Sequence, residues 1–210
     1  MKHTTLFTAL LLTVLSAAHA GRPLIVDNAN VNEKGYKHVE TWFEKTADDQ
    51  ALVISPSYAL RSGLEVNATL RTSFNSTPNL LGFGAKYQLT KPVDVGCYSA
   101  IALGTAFGSG SNAIGFNLIG TCKLGGPDLH INLGAARNTS TKDNTRALGI
   151  ALEKEYAFGT GHVEAVAEQG NKPLFQVGAR TQYTPKLQLD GSIGFQGGKS
   201  RFSLGSKYQF

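Results

Sequence analysis

After the N-terminus, no segment of the chain is apolar for long enough to cross a membrane as a helix, which needs about 20 such residues. Like-signed charges form no run, so the net charge of +5 indicates solvated side chains rather than a nucleic-acid surface. Cysteine occurs only twice, too rarely for a closed zinc site. If the chain is a membrane protein, it must be a closed β-barrel, because lipid accommodates only helices and edgeless sheets.

The three histidines after residue 20 fit no catalytic pattern. His130 lies two residues from Asn132 on one predicted strand, but no serine motif accompanies them, so a histidine of the lumen or rim is the favoured interpretation. The glycine-rich residues 108–113 resemble a dinucleotide loop, but they lie between two predicted strands and are therefore a turn. We expect no catalytic residue, no enzyme activity, no cofactor and no metal.

The first 20 residues have the features of a signal peptide. Lys2 and His3 give a positive start, residues 6–15 are almost entirely apolar, and residues 18–20 form a small-x-small cleavage site. The sequence thus predicts export through the inner membrane and a mature chain of 190 residues that begins at Gly21. A chain of this length suits one domain.

Hydrophobic residues alternate with polar residues in segments of about ten, which is the pattern of a transmembrane β-strand. In residues 64–71, for example, Leu64, Val66 and Leu70 would face lipid while Glu65 and Arg71 would face inward. The pattern predicts an all-β fold, a transmembrane antiparallel up-and-down β-barrel of about 12 strands, with ten as the alternative count. The predicted strands are 36–44, 50–60, 64–72, 80–89, 96–107, 113–123, 128–137, 145–156, 162–169, 174–184, 187–195 and 201–210.

The chain ends in a strand whose last residue is aromatic. Phe202, Leu204, Tyr208 and Phe210 share one face of this strand, which resembles the C-terminal assembly signal of outer-membrane barrels. With the signal peptide, this favours a barrel in the outer membrane over a soluble β-sandwich. The expected partners are outer-membrane lipid and lipopolysaccharide, periplasmic chaperones and the barrel-assembly machinery, and small solutes. We expect a monomer and no nucleic-acid partner.

Strand parity places eleven charged residues inside the barrel, where a dry core could not hold them without a severe desolvation penalty. This indicates a wet lumen, and the near balance of acids and bases predicts either a weakly selective pore or a salt-bridged interior. The inward residues are Glu40, Glu65, Arg71, Lys86, Glu153, Glu164, Glu168, Arg180, Asp190, Arg201 and Lys207.

The two cysteines should form a cross-strand disulfide. If the fifth and sixth predicted strands form a hairpin about residues 108–112, Cys97 faces Cys122 near the periplasmic rim. Disulfides form in exported chains, so the pairing is chemically permitted. Two free buried thiols are the alternative.

The start of the mature chain contains a pattern of residues that leads into the first predicted strand. The residues of the pattern are Arg22, Pro23, Leu24, Asp27, Ala29, Lys34, Gly35 and Glu40, and the turn at residues 58–66 follows them. Over about the first 50 mature residues, this pattern resembles the MetA-pathway phenol-degradation family of Gram-negative, transporter-like outer-membrane barrels. The resemblance implies an outer-membrane channel for small, hydrophobic compounds.

The domain organisation predicted is a signal peptide at residues 1–20, a periplasmic or lumen segment at 21–35 and a barrel at 36–210. The leading functional hypothesis is passive passage of small solutes, with residues 21–35 as a partial plug. The alternatives are a non-conducting structural barrel with a salt-bridged lumen and, less favoured, a lipid-modifying enzyme.

Overall fold

The computed structural model describes residues 24–75, 79–108 and 111–210, so the predicted signal peptide and the start of the mature chain lie outside the described residues. The described residues form twelve strands. They are β1 (Lys37–Lys45), β2 (Gln50–Arg61), β3 (Leu64–Ser73), β4 (Leu80–Gln88), β5 (Gly96–Gly108), β6 (Ser111–Lys123), β7 (Asp128–Asn138), β8 (Asn144–Tyr156), β9 (Gly159–Glu168), β10 (Leu174–Thr184), β11 (Leu187–Gln196) and β12 (Lys199–Gln209).

The strands form a closed antiparallel barrel in which each strand pairs with its neighbours in sequence. β1 closes the barrel against β12, where Val39 pairs with Tyr208. The all-β fold class and the count of twelve strands are therefore confirmed. Within the described residues, no helix is long and apolar enough to cross a membrane.

A pair of glycines forms one tight turn between strands, and one proline lies within a strand. Gly197 and Gly198 join β11 to β12, and both have positive φ angles (60° and 80°), as a tight two-residue hairpin turn requires. Pro56 lies inside β2 opposite Val39 on β1. It lacks an N–H group, yet the pairing of β2 with β3 keeps the same register on both sides of it.

The outer face of the barrel is an apolar band with aromatic residues at both ends. Leu103, Leu133 and Val163 are each more than half exposed in the middle of this band. At the end that carries the chain terminus, the exposed aromatic residues are Tyr58, Tyr87, Tyr156, Phe158, Tyr183, Tyr208 and Phe210, and at the opposite end they are Phe74, Phe107, Phe175, Phe195 and Phe202. Such girdles are typical of barrels that cross a lipid bilayer.

Cys97 and Cys122 are paired residues on β5 and β6 and form a disulfide with a Cα–Cα distance of 4.0 Å. The pair lies at the terminus end of the barrel, on strands whose register is the one predicted from the hairpin. By the alternation of β5, in which Tyr98 is buried, the disulfide faces outward.

Residues 24–32 run lengthwise through the interior of the barrel. Asn32 contacts Glu65 at the start of β3, at the terminus end, whereas Leu24 packs with Leu174 at the start of β10, at the opposite end. Asp27 and Ala29 are completely buried between these points. We call residues 24–32 the lumen segment.

Candidate functional site: the occupied lumen

The lumen segment is held mainly through its backbone. Glu164 on β9 accepts hydrogen bonds from the backbone N–H groups of Ile25 and Val26 at 2.9 and 2.8 Å. Asn132 on β7 accepts from the N–H of Asp27 and donates to its carbonyl oxygen, at 2.8 and 2.7 Å. The Asn132 side chain therefore satisfies both backbone groups of one residue, as a neighbouring strand would.

A buried ion pair fixes the middle of the lumen segment. The Lys86 ammonium on β4 lies 2.8 Å from the Asp27 carboxylate, and both side chains are at most 2% exposed. Lys86 also donates to the carbonyl oxygen of Asn28 at 2.5 Å. A buried charge that loses its partner is strongly unfavourable, so each of these two residues requires the other.

A chain of polar groups across the barrel wall ends on the lumen segment. The Arg180 guanidinium pairs with Glu153, whose carboxylate lies 3.0 Å from Nε2 of His130. Nδ1 of His130 lies 2.9 Å from the Thr121 hydroxyl, which accepts the backbone N–H of Ala29 at 2.8 Å. Because a carboxylate only accepts, Nε2 carries a proton, and the Thr121 hydroxyl can donate to Nδ1 of a neutral ring.

Two more wall residues hold the part of the lumen segment nearest the terminus end. Gln88 donates to the carbonyl oxygen of Ala29 at 3.0 Å, and the Tyr98 hydroxyl donates to the Asn30 side chain at 2.8 Å. Polar groups of six strands, β3 to β7 and β9, thus converge on nine residues of the chain.

Apolar contacts hold the other end of the lumen segment, at the barrel end opposite the chain terminus. Leu24 and Val26 pack against Ala151, Val166 and Leu174. Gly149 makes this approach possible, because a Cβ atom there would lie 2.8 Å from Cγ2 of Val26. Beside these residues remains a cavity of about 20 Å³, room for about one water molecule.

A second charged network lies at the end of the barrel opposite the chain terminus. Arg71 on β3 lies 2.9 Å from Glu44 and 2.6 Å from Asp49, and Arg201 on β12 lies 3.2 Å from Glu44. Ser73 donates to Asp49 at 2.6 Å. This network ties β1, β3, β12 and the loop at residues 46–49 together.

All eleven charged residues that parity places inside lie on inward positions, and they fall into three groups. Glu65, Lys86 and Glu164 bind the lumen segment. Ion pairs join Arg71 and Arg201 to Glu44, Arg180 to Glu153, and Lys207 to Glu40 at 3.8 Å. The third group is Asp190, opposite Arg180 in the strand register, and Glu168 at the end of β9, and both residues are buried.

The interior differs from a water-filled pore in this conformation. Eight of the eleven charged residues are buried, and six of these eight contact the lumen segment or an ion-pair partner. Sequence reasoning missed Glu44 and Asp49, although Glu44 has the same strand parity as Glu40 and could have been found. Asn132, Thr121 and Gln88 carry no signal in the sequence, since uncharged polar residues are common on inward faces.

Asp49 predicts a pH dependence of stability. Burial alone would raise the pKa of this carboxyl, but hydrogen bonds from Ser73 and Arg71 and the Arg71 charge outweigh it and hold the pKa below its usual value. A depressed pKa stabilises the folded state above the unfolded pKa of about 4, and this contribution disappears as the pH falls through the folded pKa. We expect Asp49→Asn to lower the free energy of unfolding by about 1–3 kcal/mol at about pH 7.

Urea titrations of the refolded barrel from about pH 7 to about pH 2 measure this effect. The difference in the free energy of unfolding between wild type and Asp49→Asn should become smaller as the pH falls. Asp48→Asn is the matched control, because Asp48 pairs with Lys199 at an exposed site. A constant difference across the titration would contradict the prediction.

Comparison with known proteins places this barrel among the porin-like folds. A KdgM porin solved in complex with disordered oligogalacturonate superposes with a TM-score of 0.73 at 14% identity, covering 82% of this chain and 99% of that chain. A NanC porin gives 0.64 at 10% identity, covering 83% of this chain and 100% of that chain. Omp33 of Acinetobacter baumannii gives 0.56 at 9% identity, covering 84% and 99%. At these identities, the likeness concerns the fold.

The class is therefore that of twelve-stranded porin-like β-barrels. The chain belongs to the family described as uncharacterised conserved protein UCP029691, whose model matches residues 8–198. A search of the curated proteins finds no match. The resemblance of the N-terminus to the phenol-degradation family stays a prediction.

Proposed function

We propose that this protein is an outer-membrane channel for small solutes and that the lumen segment closes it in the conformation described here. The observation that carries the proposal is the way in which the segment is bound. It is held largely by hydrogen bonds to polar wall residues such as Glu164, Asn132 and Lys86. Water can replace such bonds when the segment leaves, whereas an apolar core could not be opened without exposing apolar surface.

The outer face supports a place in the outer membrane. At the end opposite the chain terminus, Arg137 on β7 and Arg146 on β8 face outward, above the apolar band. They are diagonal neighbours in the strand register, about 7–8 Å apart. Arginines at this height suit the phosphate groups of lipopolysaccharide. The terminal residues Phe202, Leu204, Tyr208 and Phe210 lie on the same outer face, where the assembly machinery would read them.

The lumen wall favours polar solutes over the small hydrophobic compounds that the N-terminal resemblance implies. The charged groups that the departure of the lumen segment would uncover include Lys86, Glu65 and Glu164, together with the Arg180–Glu153 pair. A hydrophobic solute would have to desolvate these groups, which is unfavourable.

We do not propose an enzyme. Thr121, His130 and Glu153 form a row that resembles a nucleophile, a base and an acid, but Thr121 and His130 are at most 1% exposed and Ala29 covers the hydroxyl. Among the described residues, no group of three or more His, Cys, Asp or Glu side chains could hold a metal ion.

A deletion separates the channel from the alternative, a non-conducting structural barrel. We expect the purified, refolded protein to be largely silent in a planar bilayer, and a variant that lacks residues 24–32 to give stable, discrete conductance steps. Gly149→Leu should act in the same direction in the full-length chain, because its side chain would take the place of Val26. Gly82→Ala is the control, since a Cβ there meets only ordinary contacts, the nearest at 3.4 Å.

Folding is checked by the heat-sensitive gel migration of the barrel and by β-sheet circular dichroism. A deletion variant that folds and inserts but carries no current contradicts the channel and favours the structural barrel.

A further inference from the structure

The bonds between the barrel wall and the lumen segment are those of a peptide-binding site. Glu164 and Asn132 take up four backbone groups of residues 25–27 between them. Thr121 accepts the N–H of Ala29, and Gln88 donates to its carbonyl oxygen. Backbone groups are common to all peptides, so most of these bonds do not depend on the side chains of the occupant.

Two further contacts select side chains. Lys86 pairs with the carboxylate of Asp27 at a buried position. Ala29 lies among Tyr98, Ala100, Ala102 and Ile119, where the space suits a small side chain. The wall thus requires a carboxylate, and two positions later a small residue, in an extended peptide.

From this geometry we infer that the lumen is a binding site for short extended peptides that carry a carboxylate side chain, and that the lumen segment occupies it as a tethered ligand. Such peptides are the solute class of the channel, so the inference rests on the proposed function. A polyanionic solute fits less well. It would offer no row of N–H donors to Glu164, and its charges would be repelled by Glu65 and Glu164.

The test uses the variant that lacks residues 24–32 and three nine-residue peptides. The first has the sequence of residues 24–32, the second is a shuffled version, and the third keeps only the aspartate of position 27 among alanines. Fluorescence anisotropy in detergent measures binding of the labelled peptides, and bilayer recordings measure block of the current. We expect the first and third peptides to bind and block, and the shuffled peptide to do so at least about tenfold more weakly.

A double-mutant cycle tests the carboxylate. The Asp27→Asn form of the first peptide should bind at least about tenfold more weakly than the native peptide. On a deletion variant that also carries Lys86→Met, the preference for the native peptide should disappear or reverse, because the buried carboxylate then has no cation to pair with. Equal binding of both peptides to the barrel that retains Lys86 would overturn the inference.

The two proposals fail in different ways. If the deletion variant conducts but the first peptide binds no better than the shuffled one, the peptide site is wrong and the channel stands. If the first peptide binds and the alanine peptide does not, the wall recognises only its own segment, and peptides are not the solute class. If the deletion variant is silent, the channel is wrong, whereas anisotropy still reports peptide binding.

Discussion

Asp27→Asn should open the channel of the full-length protein. The substitution leaves the Lys86 charge buried without its carboxylate partner, and breaking a buried pair in this way costs about 3–5 kcal/mol. The charge regains water when the lumen segment leaves, so the cost falls on the closed state alone. The ratio of closed to open barrels should therefore fall by a factor of about 10²–10⁴. Open probability in planar bilayers measures this ratio.

A second substitution tests whether channel opening by Asp27→Asn results from loss of the Asp27–Lys86 ion pair. Lys86→Met in the Asp27→Asn background removes the stranded charge and should return much of the closed population. Asp48→Asn removes a carboxylate from an exposed pair and should leave the open probability unchanged. If Asp27→Asn were as silent as the wild type, the ion pair would not hold the channel closed.

Loss of the disulfide should destabilise the barrel without opening it. The bond between Cys97 and Cys122 closes a loop with a sequence separation of 25 residues, and a crosslink over this distance contributes about 3 kcal/mol by restricting the unfolded chain. We expect the free energy of unfolding of the Cys97→Ser/Cys122→Ser variant to be lower by about 3 kcal/mol, so that the variant unfolds at a lower urea concentration. Its conductance should equal that of the wild type, because the bond lies on the outer face, away from the lumen segment.

Reduction provides the control for this variant. A thiol reductant should shift the unfolding curve of the wild type to that of the double-serine variant and leave the variant itself unaffected. A wild type whose unfolding is the same with and without reductant would show that the crosslink contributes nothing.

Strand positions could be predicted because their causes are local. Alternation in residues such as Leu64 to Arg71 sets which side chains face inward, and the period of two makes this assignment insensitive to errors at the strand ends. The same regularity placed Cys97 opposite Cys122 once a hairpin about residues 108–112 was assumed.

The content of the lumen could be predicted only in outline. An N-terminal plug was one hypothesis for residues 21–35, but nothing in the sequence indicates that Asp27 meets Lys86, 59 residues away, or that Asn132 binds the same residue from 105 positions away. The charges on the wall suggested water instead, because parity counts charged residues and does not show what covers them.

The sequence by itself determined the class of fold, the inward position of the charges and the register that places the cysteines opposite each other, since each follows from a repeat of two residues and from short turns. It left ten strands open beside twelve, and the closed barrel decided for twelve. Only the tertiary structure decided that the lumen is occupied. Closing the sheet brings Glu164, Asn132, Lys86 and Thr121 from four strands around one axis, and a segment that precedes β1 satisfies their hydrogen bonds. That arrangement depends on which side chains a closed barrel gathers in space, which no local pattern records.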